Sequence, residues 1–381
     1  MHVGIDISQS AFTGSGVARY TTSLVHSITE LDTKNTYTFL YSSLRRSVPE
    51  KIIKAIKKPH RLIRLYMPPT FLSFLWNNVH LLPVETFTGG VDIFLSSDWA
   101  QPPVRRAKSV TVVHDLVSYV YPETLTTSTQ LDIRHAQVKA NIVATQSKRL
   151  GWVKKEADLI IADSHSTRDD LISILNIPSE RIRVVYPSVE FYDISENQAA
   201  SVAKKYDIRR PFILSAGKLE PRKNIQRLIE AFVLSSAFKT ADLVIVGAEG
   251  WGSQNLTIPD EIQKHIRFLG FVKDQDLFGL YKGCLFFCYP SLYEGFGYPV
   301  IEAMAMGAPV ATSNVSSLKE LAEGYAELFD PHDTQDIIRS LSELLTNSQK
   351  RARLSRKALP YAQSFTKKRF AHELLQLFAT L

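Results

Sequence analysis

Residues 288–313 read CYPSLYEGFGYPVIEAMAMGAPVATS, and this stretch decides the fold. It opens as the end of an apolar run, CLFFCYPS, with the composition of a buried strand. Gly295 and Gly297 then mark a turn, and Pro299 stands near the first position of a helix, where a missing N–H costs nothing. Gly307 ends that helix, and PVATSN starts another strand. Glu294 lies in the turn and Glu302 about one helical turn inside, a carboxylate pair spaced E-x7-E. Free amides around Gly295, Phe296 and Gly297 suit an anion, while the two carboxylates suit the hydroxyls of a ribose or hexose. The plainer alternative makes Glu302 a first-turn acid and Glu294 a solvated loop residue. It leaves the Gly-Phe-Gly between them without a purpose.

Working outward, the same alternation of short strand and longer helix fills the 381 residues. The first half offers HVGIDIS, TYTFLYS, DIFLSS, SVTVVHD, DLIIADS and IRVVYPS; the second offers FILSAG, DLVIVG, IRFLG, CLFFCYPS and PVATSN. This is the pattern of parallel sheets covered by crossover helices, and each series is long enough for its own sheet. The expected organisation is a Rossmann-like domain over 1–190, a polar linker over 191–210, a second Rossmann-like domain over 211–363 and a final amphipathic helix over 364–381. Ligands in open parallel sheets bind beyond the carboxyl ends of the strands, so the residues that close each strand are the candidates.

The first strand runs into SQSAFTGSGVARY, a glycine-containing loop before a helix. A dehydrogenase fingerprint wants a third glycine where Arg19 stands, and TYTFLYS ends without the acid that grips a ribose. A nicotinamide dehydrogenase is therefore disfavoured, while Gly14, Gly16 and Arg19 are either a ligand loop or a tight turn. His114 closes SVTVV and is either structural or a ligand contact. Ser164 closes DLIIADS, with Ser166 and Asp169 at capping-box spacing, so that Ser166 caps the next helix and Ser164 meets ligand, or both are caps. In SAGKLEPRKNIQRLIEAF, Arg222 and Lys223 precede a helix that Asn224 is placed to cap. Two cations beside free helix-terminal amides clamp a diphosphate; the alternative is a solvated pair. Gly247 closes DLVIVG and joins the candidates by position alone.

A net charge of +7 asks for an anionic partner. Between 51 and 64, KIIKAIKKPHRLIR carries Lys51, Lys54, Lys57, Lys58, Arg61 and Arg64 with no acid and with apolar residues interleaved. It reads as a basic amphipathic element for an anionic membrane surface or as a solvated helix face. No zinc pattern, helix-turn-helix or aromatic RNA-binding signature accompanies the charge, which argues against nucleic acid. Cys284 and Cys288 read as reduced core residues on one face of a strand. The N-terminus lacks a signal-peptide pattern and no apolar run reaches the ~18 residues of a membrane span, so the expected location is cytoplasmic, with peripheral contact to the inner face of the membrane.

The segment E-G-F-G-x-P-x-x-E-A-M-A-x-G, with the earlier G-S-G-x-x-R-Y, V-H-D, A-D-S and G-K-L-E-P-R-K-N, resembles the retaining family-4 glycosyltransferases of the GT-B fold. The resemblance spans nearly the whole chain, in order. It implies two doubly wound Rossmann-like domains facing a cleft, with the last helix, FTKKRFAHELLQLFATL, crossing back to the first domain. It also implies that Glu302 binds the donor ribose and Glu294 the transferred sugar, with amides at Gly295, Phe296 and Gly297 nearby. Arg222 and Lys223 would neutralise the diphosphate, His114 would contact the sugar, and Gly16 would lie near the diphosphate. Many members separate the Arg and Lys by several residues; here they are adjacent, as in the E-P-R-K-N subgroup. The implied reaction is transfer of a sugar, mannose from GDP-mannose as first choice, to a glycan or polyprenyl-linked glycan with retention of configuration and without a metal or other cofactor. UDP-hexose or dTDP-rhamnose donors, an epimerase or phosphorylase of the same fold, and a non-catalytic sugar-nucleotide-binding protein are the alternatives.

Overall fold

The computed structural model describes residues 1–12, 14–123, 133–248 and 256–381, with the side chains of 133–141 excepted. The chain divides into two compact units, and the C-terminal segment Phe365–Leu381 belongs to the first of them.

The first unit is a seven-stranded, all-parallel sheet in the order β3-β2-β1-β4-β5-β6-β7. The strands are β1 His2–Asp6, β2 Thr36–Ser42, β3 Arg61–Leu65, β4 Ile93–Ser96, β5 Lys108–Val113, β6 Leu159–Ala162 and β7 Ile182–Val184. The central strands are buried almost throughout, as continuous Val, Ile and Leu runs demand when helices cover both faces. Val3, Ile5, Phe39, Leu95, Val112 and Ile161 form one core with Leu24 and Ile28 of the Gly16–Leu31 helix. Phe370, Leu374 and Phe378 of the C-terminal helix Lys367–Phe378 complete it. Each fully buried Leu or Phe contributes ~1.5–3 kcal/mol, so this helix is a fixed part of the unit rather than a tail. Thr366 caps it by accepting from the Arg369 N–H at 3.2 Å, and Phe370 meets Tyr20 edge-on at 5.5 Å.

The second unit has six parallel strands in the order β10-β9-β8-β11-β12-β13. These are β8 Phe212–Ala216, β9 Asp242–Val246, β10 Ile266–Gly270, β11 Phe286–Tyr289, β12 Val310–Ser313 and β13 Glu327–Phe329. Both sheets reverse their strand order once, at β1/β4 and at β8/β11, and a crevice opens beside such a reversal.

Several local expectations change. The polar stretch 191–210 is not a bare linker: it holds the helix Glu196–Lys205, closed by a reciprocal cap between Ser195 and Gln198. Val202 of that helix packs so closely on Gly279 that a Cβ there would sit 2.8 Å from it. Segment 51–64 is not one amphipathic element. It splits into the short helix Glu50–Ala55 and edge strand β3, with Ile52 buried and all six cations exposed. Cys284 lies outside the strand, at the end of the helix Asp274–Gly283, where its thiol donates to the Tyr281 carbonyl; Cys288 is in β11, and both are free. Ser164, not Ser166, caps the helix His165–Leu175, its hydroxyl accepting from the Thr167 N–H at 3.0 Å. Asn224 begins its helix in the left-handed region (φ 56°), yet its side chain donates to the Pro331 carbonyl instead of capping.

Candidate active site

In the second unit the loops after β8 and β11 meet at the strand-order reversal. The chain leaves β8 through Gly217 and makes a tight turn over Pro221–Lys223. Lys223 is buried, and its Nζ lies 2.5 Å from Glu294 Oε1 and 2.7 Å from the Tyr289 hydroxyl. Arg222 Nη1 donates to Glu294 Oε2 at 2.7 Å and to the Tyr293 carbonyl at 2.8 Å. Ser291 and Tyr289 donate to Glu294 Oε1 at 2.7 and 2.9 Å. The Glu294 backbone is fixed too: its N–H donates to Ser316 Oγ, and its carbonyl accepts from Ser317.

The electrostatics follow from this geometry. Burial alone would raise the Glu294 pKa, but Arg222 and Lys223 outweigh it and hold the carboxyl well below the usual range. Burial and the neighbouring Arg222 push the Lys223 ammonium below its ordinary value, against the pull of Glu294. One carboxylate thus sits between two cations, with hydroxyls filling its remaining lone pairs, which is the condition under which buried charge is tolerated.

Gly297 has φ +95°, and a Cβ there would meet Leu318 Cδ2 at 2.7 Å, so the turn requires glycine on two counts. The helix Tyr298–Ala305 starts beyond it, with Pro299 in its first turn. Gly295 and Phe296 lie in that turn, Phe296 buried with its ring 5.1 Å from Tyr298. Glu302 is buried and accepts from the Tyr281 hydroxyl at 3.3 Å. Gly247 has a packing reason: a Cβ there would lie 1.8 Å from the Gly217 carbonyl oxygen. The loops after β8 and β9 touch backbone to backbone at that point.

In the first unit, His114 follows β5 and its Nδ1 shares a hydrogen bond of 2.6 Å with Asp163 Oδ2, just past β6. Its ring meets Tyr20 edge-on at 4.7 Å. Burial opposes the charged ring, but Asp163, with Asp98 and Asp115 behind it, raises the pKa to about 9, so His114 is an imidazolium at neutral pH. Gly16 begins the helix whose N-terminus Ser15 caps through the Ala18 N–H.

The structure pairs Arg222 and Lys223 with Glu294; sequence reasoning singled out Arg222 and Lys223 as one pair and Glu294 with Glu302 as another, and placed His114 at a strand end. It gave no role to Tyr289, Ser291, Tyr281 or Asp163. Tyr289 and Ser291 stand inside the motif already singled out, and Asp163 is the D of A-D-S, so a signal existed. Tyr281 carried none.

Fold and site together define a two-unit α/β protein with a cation-carboxylate cluster at a strand-order reversal. The sequence pattern of Glycosyl transferases group 1 matches residues 198–359, and that of Glycosyltransferase Family 4 matches 14–191. The chain is 31% identical over 272 residues to O-antigen chain mannosyltransferase B of Escherichia coli, covering 69% of this chain and 68% of that one. It is 34% identical over 244 residues to the serotype-specific mannosyltransferase WbdA of Escherichia coli, covering 60% of this chain and only 29% of WbdA. Among solved structures, sucrose-phosphate synthase from Thermosynechococcus elongatus superimposes with a TM-score of 0.72 over 100% of this chain and 98% of that one, at 16% identity. The chain belongs to the family-4 glycosyltransferases and has their GT-B fold.

Proposed function

We propose that the protein transfers a hexose, mannose from GDP-mannose as the first assignment, to a hydroxyl of a glycan or polyprenyl-linked glycan with retention of configuration. The observation that carries this reading is the pairing of Arg222 and Lys223 on Glu294 beside the helix Tyr298–Ala305. A nucleoside diphosphate entering here offers the cations a stronger acceptor, and Glu294, released, accepts hydrogen bonds from hydroxyls of the transferred sugar. Glu302 takes the ribose hydroxyls, with Tyr281 holding its carboxylate. The bond from the anomeric carbon to the phosphate oxygen breaks as the acceptor oxygen bonds on the same face. The acceptor proton passes to the leaving phosphate, whose charge Arg222 and Lys223 neutralise. With two cations in that place, the reading needs no metal. Mannose is favoured because the curated relatives named above are mannosyltransferases.

Thermal-shift measurements against GDP, UDP and dTDP and their sugars test the donor, since a ligand at ~100 times its Kd adds ~2.7 kcal/mol of stability. Lys223→Ala and Glu302→Ala should each weaken nucleotide binding by ~1.5–3 kcal/mol in calorimetry, and unchanged affinity in both sinks the site.

The same reading sets the first unit on an anionic membrane through 51–64. Lys51, Lys54, Lys57, Lys58, Arg61 and Arg64 are exposed, and exposed Ile53, Tyr66, Phe71 and Phe74 lie in the same stretch of chain. Among the described residues no helix is long and apolar enough to cross a membrane. Each cation near an anionic surface contributes ~1 kcal/mol, so Lys54, Lys57, Lys58 and Arg61 changed together to Gln should abolish co-sedimentation with anionic vesicles at low salt. Equal partitioning of parent and variant withdraws the placement.

A further inference from the structure

When a diphosphate draws Lys223 and Arg222 away from Glu294, a buried carboxylate loses both counter-ions at the moment it has to face a sugar. An uncompensated buried charge is costly, so the groups that stay on Glu294 decide whether it remains ionised and in place. The two carboxylate oxygens are unequally served. Oε2 accepts from Arg222 at 2.7 Å, whereas Oε1 accepts from Lys223 at 2.5 Å, from Ser291 at 2.7 Å and from Tyr289 at 2.9 Å. Two of the three donors on Oε1 carry no charge, and a phosphate attracts them far less than it attracts the ammonium.

Both neutral donors are held by backbone. Tyr289 closes β11, is 1% exposed and pairs in register with Thr312 of β12, whose hydroxyl donates to the Tyr289 carbonyl at 2.9 Å. Its ring stacks on Phe287 with 5.7 Å between centroids. Ser291 is fully buried, and next to it the Leu292 N–H donates to the Arg222 carbonyl at 2.9 Å, which ties this turn to the one after β8. Chemistry fixes the direction of the bonds: an ammonium only donates, so the Tyr289 hydroxyl accepts from Lys223 at 2.7 Å and gives its one proton to Glu294. The rest of the strand, Phe286, Phe287 and Cys288, is apolar. A phenylalanine at 289 would pack the same ring, so only the cluster accounts for the hydroxyl.

We propose that Tyr289, with Ser291 beside it, is the positioning residue of the donor site: its hydroxyl holds the Glu294 carboxylate in place as an anion while Lys223 turns to the diphosphate. The inference rests on the reading of this cluster as the place of the nucleoside diphosphate. The charged groups that face Glu294 are Arg222 and Lys223 from the turn after β8, with Glu220 3.7 Å behind Arg222. The helix Ser316–Ala322 meets the Glu294 backbone through the hydroxyls of Ser316 and Ser317. Once both cations turn to phosphate, Tyr289 and Ser291 are the donors left on the carboxylate among the described residues.

The test uses the full chain, variants Tyr289→Phe and Ser291→Ala, and GDP as the probe, or UDP or dTDP where screening selects it. Tyr289→Phe keeps the ring and its stack on Phe287, and Ser291→Ala removes a single oxygen, so each gives an independent answer from a folded chain. Calorimetry over pH, in buffers of different ionisation enthalpy, reads proton uptake on binding. Handing the cations to the diphosphate makes Glu294 easier to protonate, so at the acid end nucleotide binding takes up a proton. Losing a hydrogen bond that favours the carboxylate should move the onset of uptake upward by about 1–2 pH units in Tyr289→Phe and about 1 in Ser291→Ala. Nucleotide Kd near neutral pH should stay within about threefold, since the probe carries no sugar for Glu294 to hold, while kcat/KM for the sugar donor should fall at least about tenfold in Tyr289→Phe. The acid limb of kcat should rise with the onset of uptake. A residue that only fills space lowers kcat at every pH and moves neither. An onset and an acid limb both within about 0.3 pH unit of the parent in folded Tyr289→Phe overturn the assignment and leave the donor site standing; a parent that binds none of the three nucleotides overturns the donor reading itself, and this assignment with it.

Discussion

The two units place charged groups at equivalent points of similar sheets, yet build them differently. In the second unit the cluster comes from two short stretches, Pro221–Lys223 and the motif from Tyr289 to Glu302, and its charges are paired with two cations on one carboxylate. In both units the partners come from afar, Lys223 and Glu294 being 71 residues apart, His114 and Asp163 49, and Asp98 and Arg149 51, but in the first unit each stands singly. The difference teaches which kind of site a chain advertises. A site carried on two loops that each hold several of its residues leaves recognisable motifs, whereas a site closed by one residue from each of several strands leaves single residues scattered among apolar runs.

Breaking the cluster of the second unit should have the largest effect. Glu294→Ala removes the carboxylate that Arg222 and Lys223 share, leaving Glu220 at 3.7 Å from Arg222, and should cost ~3–5 kcal/mol, read as a fall in denaturant midpoint. Glu294→Gln, which keeps hydrogen-bonding capacity, should cost less. Next comes the loop contact: Gly247→Ala drives a Cβ into the Gly217 carbonyl and should cost ~1–3 kcal/mol by the same measurement. An unaltered midpoint would show that the loops after β8 and β9 yield easily.

The two sites should also separate by pH. The His114 pKa is raised from 6.5 to about 9 in the folded chain, so its contribution is complete below pH 6.5 and fades as pH rises toward 9. Glu294 has a depressed pKa, so its contribution is complete above its ordinary 4.5 and is lost as pH falls below that value. Tm measured against pH should therefore lose its alkaline slope in His114→Gln and part of its acid slope in Glu294→Gln; a parental alkaline slope in His114→Gln breaks the comparison. The smallest effect belongs to the surface. Changing Lys54, Lys57, Lys58 and Arg61 to Gln removes only exposed charges and should leave unfolding free energy within ~0.5 kcal/mol of the parent.

The sequence by itself determined the class of fold, because runs such as LIIA and the LVIV of β9 are apolar at every position only when both faces of a strand are covered. It singled out much of the cluster of the second unit as well, since Arg222, Lys223, Glu294 and the glycine at 297 occupy two turns that carry local signals. Two of the four edge strands, β3 and β13, escaped it. Arg61–Leu65 carries arginines at its first and fourth positions, inside the run read as one basic element, and Glu327–Phe329 is too short to leave a pattern. Only the tertiary structure decided that Asp163 charges His114, that Arg149 aims Asp98, and that Gly247 is needed for a backbone contact with Gly217. The physical reason is the same in each case. A buried charge or a close approach is specified by what lies across from it, and in a parallel sheet that neighbour arrives from another strand or a crossover helix, about 30 residues or more along the chain.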